Sequence, residues 1–217
     1  MTRILAIADE TTRSLGAAAL KEMRPDVVVS CGDLPFDYLE YVASAANAPL
    51  LYVPGNHDPS LRPQRVAARP LRFEDDWEDR VRPPGGLDLD GRVVRERGIT
   101  FAGLGGSVRY RPGPNQYTER EMRRRVGRLV ARVKWRRLLG RGPVDVVVTH
   151  SPPRGVGDMD DAAHRGFDCF HLLVARLRPR FMLHGHIHPH GFDKPDRMVG
   201  EAKIVNVVPY RVLEVPS

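Results

Sequence analysis

The chain has 217 residues, of which 41% are hydrophobic and 28% charged, a composition typical of a globular domain and not of a disordered protein. It has no apolar run long enough to cross a bilayer, no signal-peptide pattern at its N-terminus, and only two cysteines, too few for a disulfide framework. We therefore expect a single domain over residues 1–217 that is cytoplasmic and does not associate with membranes.

The charge of the chain is its one unusual global property. The formal net charge is +7, and 30 of the 34 basic residues are arginines. A basic surface can favour anionic partners such as nucleotides, nucleic acid or membrane phosphates. Because the arginines are spread along the whole chain, a general bias in amino-acid usage explains them better than a dedicated binding face.

The first quarter of the chain alternates between strand and helix patterns. Short β-branched runs such as DVVVS are typical of a sheet covered on both faces. Repeated crossovers of this kind predict parallel strands with helices packed on the sheet. Strands are predicted over residues 3–8, 26–30 and 49–53, and helices over residues 15–23 and 37–46.

The remainder begins with a proline-rich loop over residues 59–91 and then returns to alternation. A long helix is predicted from Thr118 to about Leu139, because Thr118 and Glu121 form a capping-box pattern. Its arginines could bind along a nucleic acid. The pattern is more typical of a solvent-exposed helix face, because no aromatic residues alternate with the charged ones. The other predicted elements are a hairpin over 92–97 and 99–104, a loop over 105–117, a helix over 164–177, and strands over 144–149, 180–183, 203–208 and 210–215.

Metal-competent side chains follow five of the predicted strands. In α/β sheets the ligand crevice lies outside the carboxyl ends of the strands, so these side chains should converge on one rim. Each residue alone has an ordinary explanation, such as helix capping or turn formation, and only the conjunction indicates a site. The residues are Asp9, Asp33, Asn56, His150, His186 and His188.

The order and spacing of these residues resemble one known family, the calcineurin-like metallophosphoesterases. The resemblance implies an α/β fold, a four-layer αββα sandwich, with a dinuclear metal centre at the strand ends. It also implies hydrolysis of phosphomonoesters, phosphodiesters or nucleic-acid backbones. The matching motifs are Gly32-Asp33, Gly55-Asn56-His57-Asp58, Thr149-His150 and Gly185-His186-Ile187-His188.

By this resemblance, two divalent ions would share the carboxylate of Asp33. Such ions can polarise a phosphoryl group and provide hydroxide near neutral pH. The ligands are oxygen and imidazole without thiolate, which suits manganese, iron or zinc, and the family pattern favours manganese or iron. Asp9 and His188 would hold one ion, and the other would be held by Asn56, His150 and His186.

Catalytic and substrate-binding residues are also implied. By the resemblance, His57 would protonate the leaving oxygen or stabilise charge in the transition state. Asp58 either orients the His57 ring or forms the turn before a proline, and the sequence leaves both open. Guanidinium groups suit phosphate oxygens, so we expect substrate contacts from Arg109, Arg111 and Arg154. The loop over residues 105–117, which carries the first two, is predicted to border the active site.

The first motif departs from the family pattern, which is Asp-x-His. Here it reads Asp9-Glu10-Thr11. A threonine hydroxyl is a weak ligand compared with imidazole, so the ion at Asp9 and His188 is expected to bind more weakly than the other. The alternative is that Thr11 only makes room for substrate and that both sites bind metal strongly. Glu10 is not expected to substitute, because neighbouring side chains on an extended strand point to opposite faces.

Together these observations predict a metal-dependent hydrolase of a small phosphodiester or phosphomonoester. One alternative is a non-catalytic metal- or phosphate-binding scaffold with the same fold, and the retention of His57 argues against it. The other is a nuclease that uses the basic helix as a track. Because the sequence shows no additional nucleic-acid-binding domain, we do not favour nucleic acid as the partner.

Overall fold

The computed structural model describes residues 1–60, 82–189 and 195–216, so most of the predicted loop over 59–91 lies outside the described residues. The strands of the described part are β1 (Thr2–Ile7), β2 (Val27–Ser30), β3 (Leu50–Tyr52), β4 (Leu87–Asp88), β5 (Val93–Glu96), β6 (Ile99–Leu104), β7 (Ser107–Val108), β8 (Gln116–Tyr117), β9 (Val146–Thr149), β10 (Phe181–His184), β11 (Arg197–Val199), β12 (Ala202–Asn206) and β13 (Tyr210–Val215). The helices are α1 (Ala17–Met23), α2 (Phe36–Ala46), α3 (Glu119–Leu138) and α4 (Cys169–Leu177), and a 3-10 turn covers Arg13–Leu15.

These strands form two large sheets and one small pair. The first sheet has the order β13-β1-β2-β3-β4, in which β1 to β4 are parallel and β13 is antiparallel to β1. The second has the order β11-β12-β10-β9-β6-β5, with four parallel strands between two antiparallel edge strands. The crossovers therefore produce the parallel pairing that the sequence predicted.

The alternation of side chains along β1 shows how the layers pack. Ile4 and Ala6 lie in the apolar core between the two sheets, whereas Leu5 and Ile7 pack with α1 and α2. Buried residues of α3, such as Val126, pack with α4 against the outer face of the second sheet. The elements thus stack as helices, sheet, sheet and helices, and the predicted mixed α/β class is confirmed.

Helix α3 matches its prediction, whereas α4 begins five residues later than expected. The Phe167 N–H donates to the Pro152 carbonyl oxygen at 3.1 Å, and the Arg154 N–H donates to the Phe167 carbonyl at 3.1 Å. A Cβ at Gly166 would lie 2.6 Å from that same Pro152 oxygen. This stretch therefore pairs with the loop after β9, and the tertiary contact overrides the local helical pattern. A search of the described helices for a bilayer-spanning segment found none.

Candidate metal centre

The carboxyl ends of the two sheets meet at the candidate site. Asp9 follows β1 and His186 follows β10, and the His186 N–H donates to Asp9 Oδ2 at 2.8 Å. His150 follows β9, and its Nδ1 lies 2.8 Å from the carbonyl oxygen of Cys31, which follows β2. These bonds join the sheets at the edge where α/β folds bind ligands.

Four of the predicted metal ligands form the buried centre of the site. One donor atom each from Asp9, Asp33 and His150 lies within 4.8 Å of the other two. His150 Nε2 lies 3.3 Å from Asp33 Oδ2 and 2.9 Å from Asn56 Oδ1. The structure therefore brings together side chains that are up to 141 residues apart in the sequence.

The two histidines of the last motif adjoin this centre. The ring centroid of His186 is 4.8 Å from that of His150. His188 Nε2 lies 3.9 Å from Asp9 Oδ1. All six predicted metal ligands therefore belong to one continuous cluster.

Backbone carbonyls fix the ring orientation of two histidines. His150 Nδ1 is bonded to the Cys31 carbonyl, and His186 Nε2 lies 2.7 Å from the carbonyl oxygen of Ala163. Because a carbonyl only accepts, each of these nitrogens carries the N–H, and in the neutral ring the lone pair is on the other nitrogen. For His150 that nitrogen is Nε2, which lies among the oxygen atoms of the site. Histidines that ligate metals are held in this way.

The backbone at the site is strained. Asp9, Asp33 and His186 have φ angles of 62°, 57° and 67°, in the left-handed region that residues other than glycine rarely adopt. At Asp9 and His186 the chain makes a γ-turn, in which the next residue donates its N–H to the preceding carbonyl at 2.7 and 2.8 Å. Such conformations cost about 1–3 kcal/mol each and cluster at functional sites.

Two glycines of the motifs allow the carboxylates to approach the backbone. A Cβ at Gly55 would lie 2.0 Å from Asp33 Oδ1, and a Cβ at Gly185 would lie 2.3 Å from Asp9 Oδ2. Neither contact is sterically possible, so any other residue at these positions would push a carboxylate out of the cluster.

The electrostatics of the metal-free site centre on a buried ion pair. Burial, the largest single effect, would raise the pKa of Asp33 and lower that of His150. Their mutual attraction and hydrogen bond, together with other nearby charges and backbone hydrogen bonds, reverse both shifts and give a pKa of about 2 for Asp33 and about 9 for His150. Burial raises the pKa of Asp9 to about 6, and burial together with the His150 charge lowers the pKa of His186 to about 3. A divalent ion would therefore have to displace a proton from His150.

The donor set of the cluster fits a divalent metal ion. It supplies carboxylate oxygens, one amide oxygen and imidazole nitrogens from closely spaced, largely buried side chains. Oxygen and imidazole ligands suit manganese, iron and zinc, and none of the six predicted ligands is a thiolate. The buried carboxylates also give a metal cation the opposite charge that burial of an ion requires.

His57 and Asp58 occupy different places around this cluster. His57 is exposed, and its backbone N–H donates to Asp33 Oδ1 at 2.8 Å. Asp58 is buried, and its Oδ2 accepts the N–H groups of Gly55 and Asp33, each at 2.8 Å. These bonds tie the loop after β3 to the loop after β2. Of the two interpretations of Asp58, the geometry supports the structural one.

The three arginines predicted to bind phosphate have other partners. Arg109 pairs with Glu121 at 2.9 Å, and Arg154 lies 3.5 and 3.6 Å from two aspartates of its own loop. The Arg111 guanidinium lies 5.3 Å from the centre of the Tyr110 ring. These contacts give the arginines structural partners and lend no support to their predicted role in substrate binding.

Residues 105–117, which were predicted as a loop and contain the strands β7 and β8, border the site through residues that the sequence did not single out. The Asn56 Nδ2 group lies 3.4 Å from the Tyr110 hydroxyl. Asn115 donates from Nδ2 to the carbonyl oxygens of Gly55 and Asp58, at 3.0 Å each. An isolated tyrosine or asparagine in a Gly/Pro-rich loop gives no local signal of such contacts.

Glu10 was not expected to substitute as a ligand because an extended strand would place it on the opposite face from Asp9, and that placement is wrong. Glu10 Oε1 lies 2.7 Å from His188 Nδ1. The reason is local: β1 ends at Ile7 and the γ-turn at Asp9 interrupts the extended alternation on which the expectation rested.

His164 also lies nearer the site than its predicted helix suggested. It belongs to the loop before α4, with its ring centroid 5.4 Å from that of His186. Its Nδ1 lies 2.9 Å from Asp161 Oδ1, which orients the ring.

Clustered carboxylates and imidazoles at the strand ends of two facing sheets form a candidate metal centre in an α/β fold. The chain belongs to the calcineurin-like phosphoesterase family, whose pattern it matches over residues 6–190. Membership supports metal-dependent phosphoester hydrolysis at the level of the superfamily. A search of curated proteins found no significant match.

Solved structures share the fold at low sequence identity. The protein TT1561 of Thermus thermophilus is 17% identical with a TM-score of 0.56, and the match covers 95% of this chain and 88% of that one. A second crystal structure is also 17% identical, with a TM-score of 0.61 and coverage of 94% and 90%. At this level of identity the likeness concerns the fold alone.

Proposed function

We propose that the protein hydrolyses a small phosphodiester or phosphomonoester at a two-metal centre. The observation that carries the proposal is the close approach of Asp33 to both Asp9 and His150, since one donor atom of each lies within 4.8 Å of the other two. One of its oxygens accepts the His57 N–H, and the other lies 3.3 Å from His150 Nε2. A carboxylate offers two oxygens and can therefore serve two ions at once.

The side chains divide into two groups around Asp33. The first-sheet residue Asp9 and the second-sheet residue His188 would hold one ion, and the other would be held by Asn56, His150 and His186. When bound, such ions polarise the phosphoryl oxygens and provide a nucleophilic water near neutral pH. The chain itself contributes the buried negative charge, the fixed ring orientations and the proton donor.

His57 is the residue best placed to supply that proton. His57 is exposed, and its backbone N–H donates to Asp33 Oδ1, so the residue lies beside the cluster. An imidazole in this position can donate to the leaving oxygen or stabilise charge on the transition state.

The arrangement of α3 favours a small substrate over a nucleic acid. Several of its arginines are bound within the molecule: Arg123 pairs with Glu119, Arg125 with Asp90, and Arg137 donates to a carbonyl of α4. If α3 is a nucleic-acid track, binding should weaken steeply with added salt, because each neutralised phosphate releases counterions. We expect weak binding with a shallow salt dependence.

Hydrolysis of p-nitrophenyl phosphate and bis-p-nitrophenyl phosphate with added Mn²⁺ tests the proposal. We expect turnover of at least one substrate, its loss with a chelator, and a fall of about 10²–10⁴-fold in His57→Ala. His171→Ala, on α4, is the matched control and should keep its activity. Absence of metal-dependent turnover on both substrates, or full activity in His57→Ala, would favour the non-catalytic scaffold.

A further inference from the structure

Glu10 reaches a metal-site histidine because of the turn that follows β1. Asp9 has a φ of 62°, and the Glu10 N–H donates to the Ala8 carbonyl oxygen at 2.7 Å. The chain therefore reverses within three residues. The Glu10 carboxylate then lies 2.7 Å from Nδ1 of His188, which is 178 residues away.

This contact determines which nitrogen of His188 can serve as a ligand. A carboxylate accepts the N–H of Nδ1, so the lone pair of the neutral ring is on Nε2. Nε2 lies 3.9 Å from Asp9 Oδ1. Two donors that each lie 2.0–2.2 Å from one ion are no more than about 4 Å apart, so this spacing suits a shared ion.

We infer that Glu10 is a positioning residue for the ion held by Asp9 and His188. This rests on the metal centre proposed above. The carboxylate orients the His188 ring, fixes its tautomer and makes Nε2 a more basic ligand. It thereby strengthens the ion site of Asp9 and His188, where Thr11 replaces the histidine of the family's Asp-x-His motif.

A purely structural role predicts a different outcome. The Glu10 and His188 side chains are 46% and 35% exposed. Polar contacts between exposed side chains contribute little to folding stability, so loss of this contact should leave the unfolding temperature nearly unchanged. Mutation of a residue that supports a metal ligand typically weakens metal binding by about 10–100-fold. Measuring both metal affinity and folding stability therefore distinguishes a positioning role of Glu10 from a purely structural one.

Calorimetric titration of chelator-treated protein with Mn²⁺ is the first arm of the test. In Glu10→Ala we expect about 10–100-fold weaker binding of one ion, with the second ion and the unfolding temperature unchanged. Glu10→Gln keeps an oxygen that can accept the Nδ1 proton but removes the charge, so it should give a smaller loss. Glu22→Ala, which removes an exposed glutamate on α1, is the matched control.

Nitrogen NMR of the histidine rings in the metal-free protein is the second arm. We expect the Nδ1–H tautomer for His188 in the wild type and a mixture of tautomers in Glu10→Ala. Mn²⁺ titrations of Glu10→Ala that match those of Glu22→Ala, or an Nε2–H tautomer in the wild type, would overturn the inference. Neither arm uses a substrate, so a protein that binds Mn²⁺ as expected but hydrolyses nothing would contradict the proposed reaction alone.

Discussion

The two carboxylate oxygens of Asp33 have different partners in the site, the His57 N–H and His150 Nε2. An amide could keep the first contact but not the negative charge of the carboxylate. Asp33→Asn is nearly isosteric and keeps an oxygen that can accept the His57 N–H. We expect Mn²⁺ affinity and Mn²⁺-dependent turnover to fall by more than the roughly 10–100-fold typical of a supporting residue. Circular dichroism should show the same fold.

The matched control for this variant is Asp37→Asn, which changes an exposed aspartate on α2. It should retain both metal binding and turnover. An Asp33→Asn protein that binds two ions and turns over at the wild-type rate would contradict the role of Asp33 as the shared ligand.

The ion pair of His150 and Asp33 predicts how the stability of the metal-free protein depends on pH. Folding raises the pKa of His150 from 6.5 to about 9. Its contribution to the free energy of unfolding is therefore complete below pH 6.5 and is lost as the pH rises through about 9. One pKa unit corresponds to about 1.4 kcal/mol, so the loss is at most about 3 kcal/mol.

Urea unfolding of chelator-treated wild type and His150→Gln, at pH 6.5 and above pH 9, measures this contribution. The difference in stability between the two proteins should shrink at the higher pH. A difference that is the same at both values would show that the pair does not titrate as described.

Single residues could be predicted where a polar side chain ends an apolar strand. Asp33 and His150 are examples, because their chemistry and their place at a strand end are both visible in the sequence. Glu10 could not, since its direction depends on a γ-turn that no local residue type announces. The carbonyl of Ala163, which holds His186, has no side-chain signal at all.

At the scale of elements, the loop between β7 and β8 supports the loop after β3. Asn115 donates to the carbonyl oxygens of Gly55 and Asp58, and its φ is 52°. Asn115→Asp keeps a residue type that tolerates this φ but places an acceptor against two carbonyls. We expect the free energy of unfolding to fall by about 1–3 kcal/mol, with a parallel loss of turnover.

Chemical denaturation of Asn115→Asp beside Asn47→Asp checks this expectation. Asn47 has a similar φ of 51° at the end of α2 and lies away from the metal-site loops. Equal losses of stability in the two variants, with turnover retained in both, would contradict a supporting role for Asn115.

The elements differ in how far local sequence determines them. Helix α3 was predictable because its capping box and its apolar face at Met122, Val126 and Leu129 are local features. The start of α4 was not, because Phe167 pairs with the loop after β9 instead of joining the helix. The two-residue strand β4 is too short to give a periodic pattern.

At the scale of the whole molecule, the metal centre lies where the two sheets meet. Asp9, Asp33 and Asn56 follow strands of the first sheet, whereas His150, His186 and His188 follow strands of the second. Metal binding would therefore join the two halves of the fold. The layer order was predictable through the family resemblance, while the sheet edges formed by β11 and β13 required the structure.

A crystal structure of the protein grown with Mn²⁺, with anomalous diffraction recorded for manganese, tests this metal centre most directly. We predict two anomalous peaks about 4 Å apart with Asp33 between them. One should contact Asp9 and His188, and the other should contact Asn56, His150 and His186. Manganese peaks only at other residues, or no peak at these residues at a saturating Mn²⁺ concentration, would contradict the proposed centre.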